Sequence, residues 1–170
     1  IIQRDCIPFL ISPISTIDYT KEEIKNIKAL TEKEKKFYQD MVDLCDGIII
    51  PGGYHIYNYL EYITSYAIKK DIPVLGICMG MQAMGVYFHG NLKEIHSSCN
   101  HRQKKRDYAH EVILDKSSKL YQIMQREIVK VNSFHKYMVT DIERIDVVAT
   151  APDGVIEAIE DKKHPFFIGV

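Results

Sequence analysis

Residues 74–80 read Val74-Leu75-Gly76-Ile77-Cys78-Met79-Gly80, and this stretch decides the fold. Its first four residues are an apolar run that predicts a buried strand. An earlier apolar run, Ile48-Ile49-Ile50, predicts a second buried strand. Between the two runs, apolar residues recur at helical spacing from Ile56 to Ala67. Strand, helix and strand in this order are typical of a βαβ unit with parallel strands, so the sequence predicts an α/β fold.

Two helix starts are predicted before this unit. Thr20 with Glu23 and Thr31 with Glu34 match the capping box, in which a hydroxyl and a carboxylate bind the first free amides of a helix. The helix after Thr31 is expected to end at Gly47 and to bury one face, which carries Phe37, Met41, Leu44 and Cys45.

Further strands are predicted outside the unit. Residues 7–12 are an apolar run that reads as a buried strand. Beyond Gly90, a helix opens at Ser117 or Ser118. Short apolar runs predict the other strands, near residues 111–114, 128–131, 146–150, 155–159 and 165–170.

The length and composition are those of one globular domain. The chain has 170 residues and a mass of 19.7 kDa, and a typical domain has ~100–200 residues, so we expect a single domain over residues 1–170. The sequence starts at Ile1 and stops inside the apolar run 165–170. We therefore expect further residues at both ends of the full protein.

Charge and cysteine content exclude several classes of partner. The chain has 22 basic and 23 acidic residues, for a net charge of −1, whereas proteins that bind the phosphate backbone of nucleic acids are usually basic. No apolar run reaches the ~20 residues that span a bilayer. The four cysteines are far apart in sequence, which indicates reduced thiols and a cytoplasmic location. We expect no nucleic-acid or membrane partner, and a homodimer stays open.

Cys78 is the candidate nucleophile. The pattern Gly76-Ile77-Cys78-Met79-Gly80 is the thiol version of the nucleophile elbow, a strained strand-to-helix turn that lifts one side chain out of the sheet. A helix N-terminus favours the thiolate, so we expect the pKa of Cys78 to lie below the ~8.5 of a free cysteine. The alternative is a buried structural cysteine in a glycine-flanked turn, and the elbow pattern alone leaves it open.

The loop Pro51-Gly52-Gly53 is the second candidate element. It directly follows the first buried strand, and loops at the carboxyl ends of parallel strands line the crevice where ligands bind. We therefore expect this loop to face Cys78. The backbone amides of Gly53 and Met79 could then hold an oxyanion, where one donor is worth ~2.7–4 kcal/mol in comparable sites. An ordinary tight turn after a strand is the alternative.

Spaced motifs over residues 46–170 carry a resemblance to a known family. They are residues 46–53, residues 73–82, Val131-Asn132-Ser133-Phe134-His135-Lys136, and the runs 151–160 and 164–170. Together they resemble class I glutamine amidotransferase-like proteins, and within them the peptidase C26 branch of the γ-glutamyl-γ-aminobutyrate hydrolase type. The resemblance implies a flavodoxin-like three-layer α/β sandwich with a mostly parallel central sheet. It also implies a Cys-His-Glu triad that cleaves the γ-amide of glutamine or of a γ-glutamyl amine.

The resemblance implies roles for individual residues. Cys78 matches the nucleophile that forms a γ-glutamyl thioester, and Gly53 and Met79 match the oxyanion amides, with Gly52 beside them. The implied partner is a small-molecule γ-glutamyl substrate, and no cofactor is implied.

Two more positions match the family near the substrate. Gln82 lies one helical turn beyond the cysteine and is expected to face the substrate, and His135 matches a loop that borders the substrate pocket. The triad His and Glu of the family follow the last strand in a His-Pro-Glu sequence, so we expect them beyond Val170.

Two other functions stay open. A non-catalytic regulatory or binding relative of the same fold would bind γ-glutamyl metabolites without turnover. A DJ-1/PfpI-like protein would share the elbow cysteine, but that family generally has a His directly after it, where this chain has Met79.

A metal site is not expected. His96, Cys99 and His101, with His110 nearby, offer metal-binding side chains, but their spacing is not one of the usual zinc patterns. The basic run within residues 102–106 lacks interleaved aromatic residues and reads as a solvated loop.

Overall fold

The computed structural model describes residues 5–14, 29–104 and 108–170. The helices within these ranges are α1 (Glu32–Val42), α2 (Asn58–Lys69), α3 (Met79–Tyr87) and α4 (Lys119–Met124). The strands are β1 (Ile48–Ile50), β2 (Val74–Gly76), β3 (Asn91–Glu94), β4 (His110–Leu114), β5 (Ile128–Val131), β6 (Tyr137–Thr140), β7 (Asp146–Thr150), β8 (Ile156–Glu160) and β9 (Phe167–Gly169). No helix in these ranges is both long and apolar enough to cross a bilayer.

The main sheet has the strand order β1-β2-β9-β8-β7-β4-β5. β1, β2 and β9 pair in parallel, which confirms the predicted βαβ unit, and the four remaining pairs of the sheet are antiparallel. β3 and β6 form a separate antiparallel pair. The predicted α/β class is confirmed. The resemblance implied a mostly parallel sheet. In the described sheet, parallel pairing joins the three strands around the elbow and the other pairs are antiparallel, so the sheet is mixed.

A short connection explains the antiparallel pairing of β7 and β8. β7 and β8 are joined by a tight turn in which the amide of Gly154 donates to the carbonyl of Ala151 at 2.9 Å. Gly154 has φ +83, a left-handed conformation that glycine adopts without strain. A turn this short permits only a hairpin, because parallel neighbours need a crossover of about a dozen residues.

Apolar side chains pack on both faces of the sheet. Ala158 and Ile159 are neighbours on β8 and both are buried, and successive side chains of a strand point to opposite faces. Ile159 belongs to a core cluster with residues of α1, α2 and α3, whereas Ala158 belongs to a second cluster with Leu120 and Tyr121 of α4. Helices and apolar clusters on both faces are the three layers that the resemblance implied.

The capping box at α1 is confirmed, and the predicted buried face is right in part: Phe37 packs against the core, whereas Leu44 is exposed. The amide of Thr31 donates to the Glu34 carboxylate at 2.7 Å and the amide of Glu34 donates back to the Thr31 hydroxyl at 3.3 Å. The helix ends at Val42 rather than near Gly47, and its buried residues are Tyr38 and Val42. The box at residues 20–23 lies outside the described residues.

The predicted strand at residues 7–12 is wrong. The described residues 5–14 contain no strand, and the side chains of Ile7 and Leu10 are 93% and 82% exposed. Pro8 lies within this run, and a proline cannot donate to a strand ladder. The strand predicted at residues 48–50 forms, but it is not buried throughout, because Ile49 is 47% exposed on β1, which is the terminal strand of the described sheet.

Replacing Glu160 is expected to destabilise the fold through α4. Its side chain is 2% exposed and its carboxylate accepts from the amide of Lys119 at 2.8 Å and from the amide of Leu120 at 3.2 Å. Glu160→Ala leaves these amides without an acceptor, at a cost of about 1–3 kcal/mol. Glu160→Gln keeps one carbonyl oxygen as acceptor and should lose less. Urea unfolding measures both, and equal midpoints for Glu160→Ala and wild type would contradict the assignment.

Candidate active site

Cys78 lies in a strained turn between β2 and α3. Its backbone has φ 53 and ψ −107, a region that residues with a side chain rarely adopt. Two glycines permit the turn. A Cβ on Gly80 would lie 2.1 Å from the backbone oxygen of Ile50, and a Cβ on Gly76 would lie 2.8 Å from the backbone carbon of Gly80. The nucleophile elbow predicted from the sequence therefore has its expected local geometry.

The diglycine loop lies beside this turn, as predicted. A Cβ on Gly52 would be 3.6 Å from the Cβ of Cys78, and one on Gly53 would be 3.0 Å from the Cε of Met79. Met79 carries the first amide of α3, which has no acceptor within the helix, and this amide acts to lower the pKa of the neighbouring Cys78 thiol. The loop and the start of α3 thus flank the same side chain.

A cavity of about 460 Å³ opens at Cys78. Cys78 is half-buried, and Gln82 and His135 line the same cavity. The lining continues along apolar side chains from β4, β5 and α4, namely Val112, Leu114, Leu120, Met124, Val129 and Val131. Gly52, Gly53 and Met79 border Cys78 without lining this cavity. The structure therefore brings all six predicted site residues to one end of the sheet.

The side chains of Gln82 and His135 are held by one backbone carbonyl. The Nε2 amide of Gln82 donates to the carbonyl oxygen of Tyr137 at 2.7 Å, and Nδ1 of His135 contacts the same oxygen at 3.0 Å. Gln82 itself is 8% exposed. The carbonyl of Tyr137 therefore holds both side chains in place in this wall of the cavity.

Three histidines and a glutamate form a group that the sequence analysis missed. They are His101, His110, His135 and Glu157, here called the histidine cluster. Oε1 of Glu157 lies 3.0 Å from Nδ1 of His101, 3.4 Å from Nε2 of His110 and 3.5 Å from Nε2 of His135. The sequence pointed to His101 and His110 together with His96 and Cys99, and those two residues lie outside the group.

The histidine cluster is assembled from four segments of the chain. His110 begins β4 and Glu157 lies on β8. The loops that carry His101 and His135 are tied together, because the amide of His135 donates to the carbonyl of His101 at 2.7 Å. His135 and Glu157 also line the cavity at Cys78. No local spacing could have predicted this group, since its members are brought together only by the folded sheet.

The comparison with protein families decides the identity of the chain. The model of the family described as Peptidase C26 matches residues 58–170, more than half of the chain. The chain belongs to the peptidase C26 family. The resemblance noted in the sequence is therefore confirmed.

Relatives of this peptidase C26 chain include proteins named as a glutamine amidotransferase and as a CTP synthase. A protein of Schizosaccharomyces pombe, named as a putative glutamine amidotransferase, is 36% identical over 106 residues, which are 59% of this chain and 42% of that protein. The CTP synthase of Chlamydia caviae is 23% identical over 82% of this chain and 32% of its own length. The chain thus spans less than half the length of either relative.

Solved structures show the same fold. The glutaminase domain of CTPS from Trypanosoma brucei, with bound acivicin, has a TM-score of 0.65 and 20% identity over 79% of this chain and 65% of that one. A glutamine amidotransferase from Thermotoga maritima has a TM-score of 0.56 and 18% identity over 72% of this chain and 54% of that one. The predicted class I glutamine amidotransferase fold is therefore confirmed for this member of the C26 family.

The expected lowering of the pKa of Cys78 is wrong for this chain of the C26 family. Burial raises the pKa of the thiol, the hydrogen bond from the Met79 amide lowers it by less, and the negative charge of Glu157 raises it further. The amide donor at the helix N-terminus is present, but desolvation of the thiolate outweighs it. A base placed next to the sulfur would offset this cost of forming the thiolate.

The raised pKa predicts a pH profile for alkylation of Cys78. Only the thiolate reacts with iodoacetamide, so a raised pKa leaves less of it at any pH below the pKa. We expect labelling without substrate to be slower than that of a free-cysteine peptide at pH 7, and to keep rising beyond pH 9. Peptide-resolved mass spectrometry measures the rate at Cys78, and a rate that already levels off below pH 8 would contradict the prediction.

Proposed function

We propose that the protein is a cysteine-dependent hydrolase of γ-glutamyl amide bonds. The observation that carries the proposal is Cys78 at a strained elbow that opens into a cavity, beside a diglycine loop so close that a Cβ on Gly52 would lie 3.6 Å from the Cβ of Cys78. Membership of the peptidase C26 family and the glutamine amidotransferases among its relatives support an amide as the substrate.

The proposed reaction has two steps. The thiolate of Cys78 attacks the γ-carbonyl carbon, and the amides of Gly53 and Met79 stabilise the negative oxygen of the tetrahedral intermediate. The carbon–nitrogen bond then breaks, the leaving amine takes a proton, and a γ-glutamyl thioester remains on the sulfur. Water hydrolyses this thioester, which releases glutamate and regenerates the thiol.

The base for Cys78 is assigned to the His and Glu expected beyond Val170. The amide of Val170 donates to the carbonyl of Gly76 at 2.8 Å, and the amide of Cys78 donates to the carbonyl of Val170 at 2.6 Å. Consecutive Cα atoms are ~3.8 Å apart, so a residue that follows Val170 begins next to the nucleophile. This pairing supports a triad in which the histidine after the last strand deprotonates the cysteine and then protonates the leaving amine.

The shape of the cavity supports an amine larger than ammonia. Its volume lies within the range of small-molecule sites, and the part lined by Leu120, Met124 and Val129 is apolar. In our proposal the glutamyl part lies near Gln82 and His135, and the hydrocarbon of the amine packs against the apolar part.

A substrate series tests the proposed function. The full-length protein is assayed for product release from glutamine, γ-glutamyl-methylamide and γ-glutamyl-butylamide. We expect hydrolysis of γ-glutamyl amides with a larger kcat/KM for the butylamide, because its chain gains about 0.8 kcal/mol for each buried methylene. An α-glutamyl amide of the same amine is the control and should not be cleaved. Absence of hydrolysis of every γ-glutamyl amide would overturn the proposal.

The non-catalytic alternative has one observation in its favour, the raised pKa of Cys78. A binding protein of this kind would bind the γ-glutamyl amides in calorimetry and release no amine from them. The same substrate series therefore separates the two functions.

A further inference from the structure

The hydrogen bonds of the histidine cluster fix which ring nitrogens carry protons. Nε2 of His101 contacts the Asp153 carboxylate at 2.8 Å, Nδ1 of His110 contacts the carbonyl of Glu111 at 3.1 Å, and Nδ1 of His135 contacts the carbonyl of Tyr137 at 3.0 Å. Carboxylate and carbonyl oxygens only accept hydrogen bonds. Each of these outer nitrogens therefore carries a hydrogen, and in a neutral imidazole the other nitrogen is bare.

The three bare nitrogens all point at one carboxylate oxygen. Nδ1 of His101, Nε2 of His110, Nε2 of His135 and Oε1 of Glu157 are buried, and none of these four atoms makes a hydrogen bond to another described residue. The side chains of His101 and His110 are only 2% and 5% exposed. Lone pairs that face lone pairs in a buried place repel one another unless a cation lies between them.

Protons alone do not satisfy all three contacts to Glu157, because each bare nitrogen would have to take one. Three imidazolium ions beside the carboxylates of Glu157 and Asp153 would leave a net positive charge in a buried place, which is unfavourable. One divalent cation with three neutral imidazoles and two carboxylates gives a net charge of zero.

We propose that His101, His110 and Glu157 bind a divalent transition-metal ion of the zinc type, with His135 as the fourth ligand. The ligand atoms of His101, His110 and Glu157 lie within 4.8 Å of one another. Nε2 of His135 lies 3.5 Å from Glu157 but outside this group, so its ring has to shift toward the other two histidines to complete the site. Two ligands on a tetrahedral zinc ion stand about 3.3 Å apart, given bonds of about 2.0–2.1 Å. The distances of 3.0, 3.4 and 3.5 Å from Glu157 to the three nitrogens match this spacing.

The surroundings of the cluster match those of known metal sites. Metal-binding histidines almost always donate their other N–H to a carboxylate or a backbone carbonyl, which fixes the ring, and all three histidines do so. Three nitrogen donors favour zinc, cobalt or nickel over calcium and magnesium, which prefer oxygen. Because the ligands come from four segments, the ion ties β4 and β8 to the loops that carry His101 and His135. Asp153 acts as a positioning residue for His101.

Metal binding by the full-length protein tests this proposal independently of any catalytic activity. The protein is stripped with a chelator, dialysed and titrated with Zn²⁺ in a calorimeter, and Co²⁺ is added to a second sample for its visible absorption spectrum. We expect one equivalent of each ion, an intense tetrahedral Co²⁺ spectrum and a raised Tm with Zn²⁺. Wild-type protein that stays folded, binds no equivalent of either ion and shows no shift in Tm would overturn the proposal.

Matched variants locate the ion. His110→Ala and Glu157→Gln are expected to weaken Zn²⁺ binding by more than 100-fold, and Asp153→Asn by about 10–100-fold. His96→Ala and Cys99→Ala are the controls, because they test the linear motif that lies outside the cluster, and they should bind as wild type does. The assignment to the histidine cluster is wrong if Asp153→Asn and Glu157→Gln fold and bind Zn²⁺ with wild-type affinity. It is also wrong if the control variants lose the ion.

Discussion

Cys78→Ala is expected to lower kcat/KM for γ-glutamyl amides by about 10⁴-fold or more, as removal of a catalytic nucleophile does elsewhere. The physical reason is that elbow residues 76–80 carry no other thiol or hydroxyl, and the thioester cannot form without the thiol. The variant is measured as the full-length protein in the same assay of amine release.

The folding of this variant should change little. Cys78 is half-buried and its sulfur lies at the cavity wall rather than in the core, so the free energy of unfolding should stay within about 1 kcal/mol of wild type. Cys45→Ala is the matched control, since Cys45 is also a partly buried free cysteine but its thiol contacts the carbonyl of Met41. Cys45→Ala should retain full activity, and wild-type turnover by Cys78→Ala would end the proposed mechanism.

Gly80→Ala is expected to destabilise the fold by about 3 kcal/mol, the upper end of the usual cost of overpacking. The added Cβ would lie 2.1 Å from the backbone oxygen of Ile50 and 2.9 Å from its backbone carbon. Backbone atoms cannot rotate away as a side chain does, so α3 would have to move off β1. Urea unfolding of both proteins measures the loss.

Gly47→Ala is the matched control for Gly80→Ala. Its Cβ would lie 3.6 Å from the backbone oxygen of Pro73, which is an ordinary contact, so we expect a change of less than about 1 kcal/mol. A Gly80→Ala variant as stable as the Gly47→Ala variant would show that α3 and β1 are not packed this closely.

Local patterns predicted the part of the fold that depends on local geometry. The βαβ unit, the strained turn at Cys78, the capping box at Thr31 and the helix opening at Ser118 all follow from spacings within about one helix or strand, and the structure confirms them. Which side of a strand or helix is buried was harder to predict, because burial depends on which elements pack against each other in the folded chain. Ile49 and Leu10 are apolar residues that stay exposed.

Properties of the site that depend on long-range contacts were not predictable. The pKa of Cys78 is raised because distant segments bury the thiol and bring Glu157 near it. The histidine cluster was missed for the same reason, since its members span residues 101–157 and meet only across the sheet. A cytoplasmic location, a homodimer and a pair of catalytic residues beyond Val170 stay predictions.

The shared carbonyl of Tyr137 links two places in the molecule that otherwise have separate roles. It accepts from Gln82 on the wall of the cavity and from His135 in the histidine cluster, and a carbonyl oxygen has two lone pairs for these two bonds. Rotation of the His135 ring or of the Gln82 side-chain amide would break one of these hydrogen bonds and let the peptide at Tyr137 tilt. The effects of replacing Gln82 and His135 on the free energy of unfolding should therefore be non-additive. The second replacement should change it by less than the first.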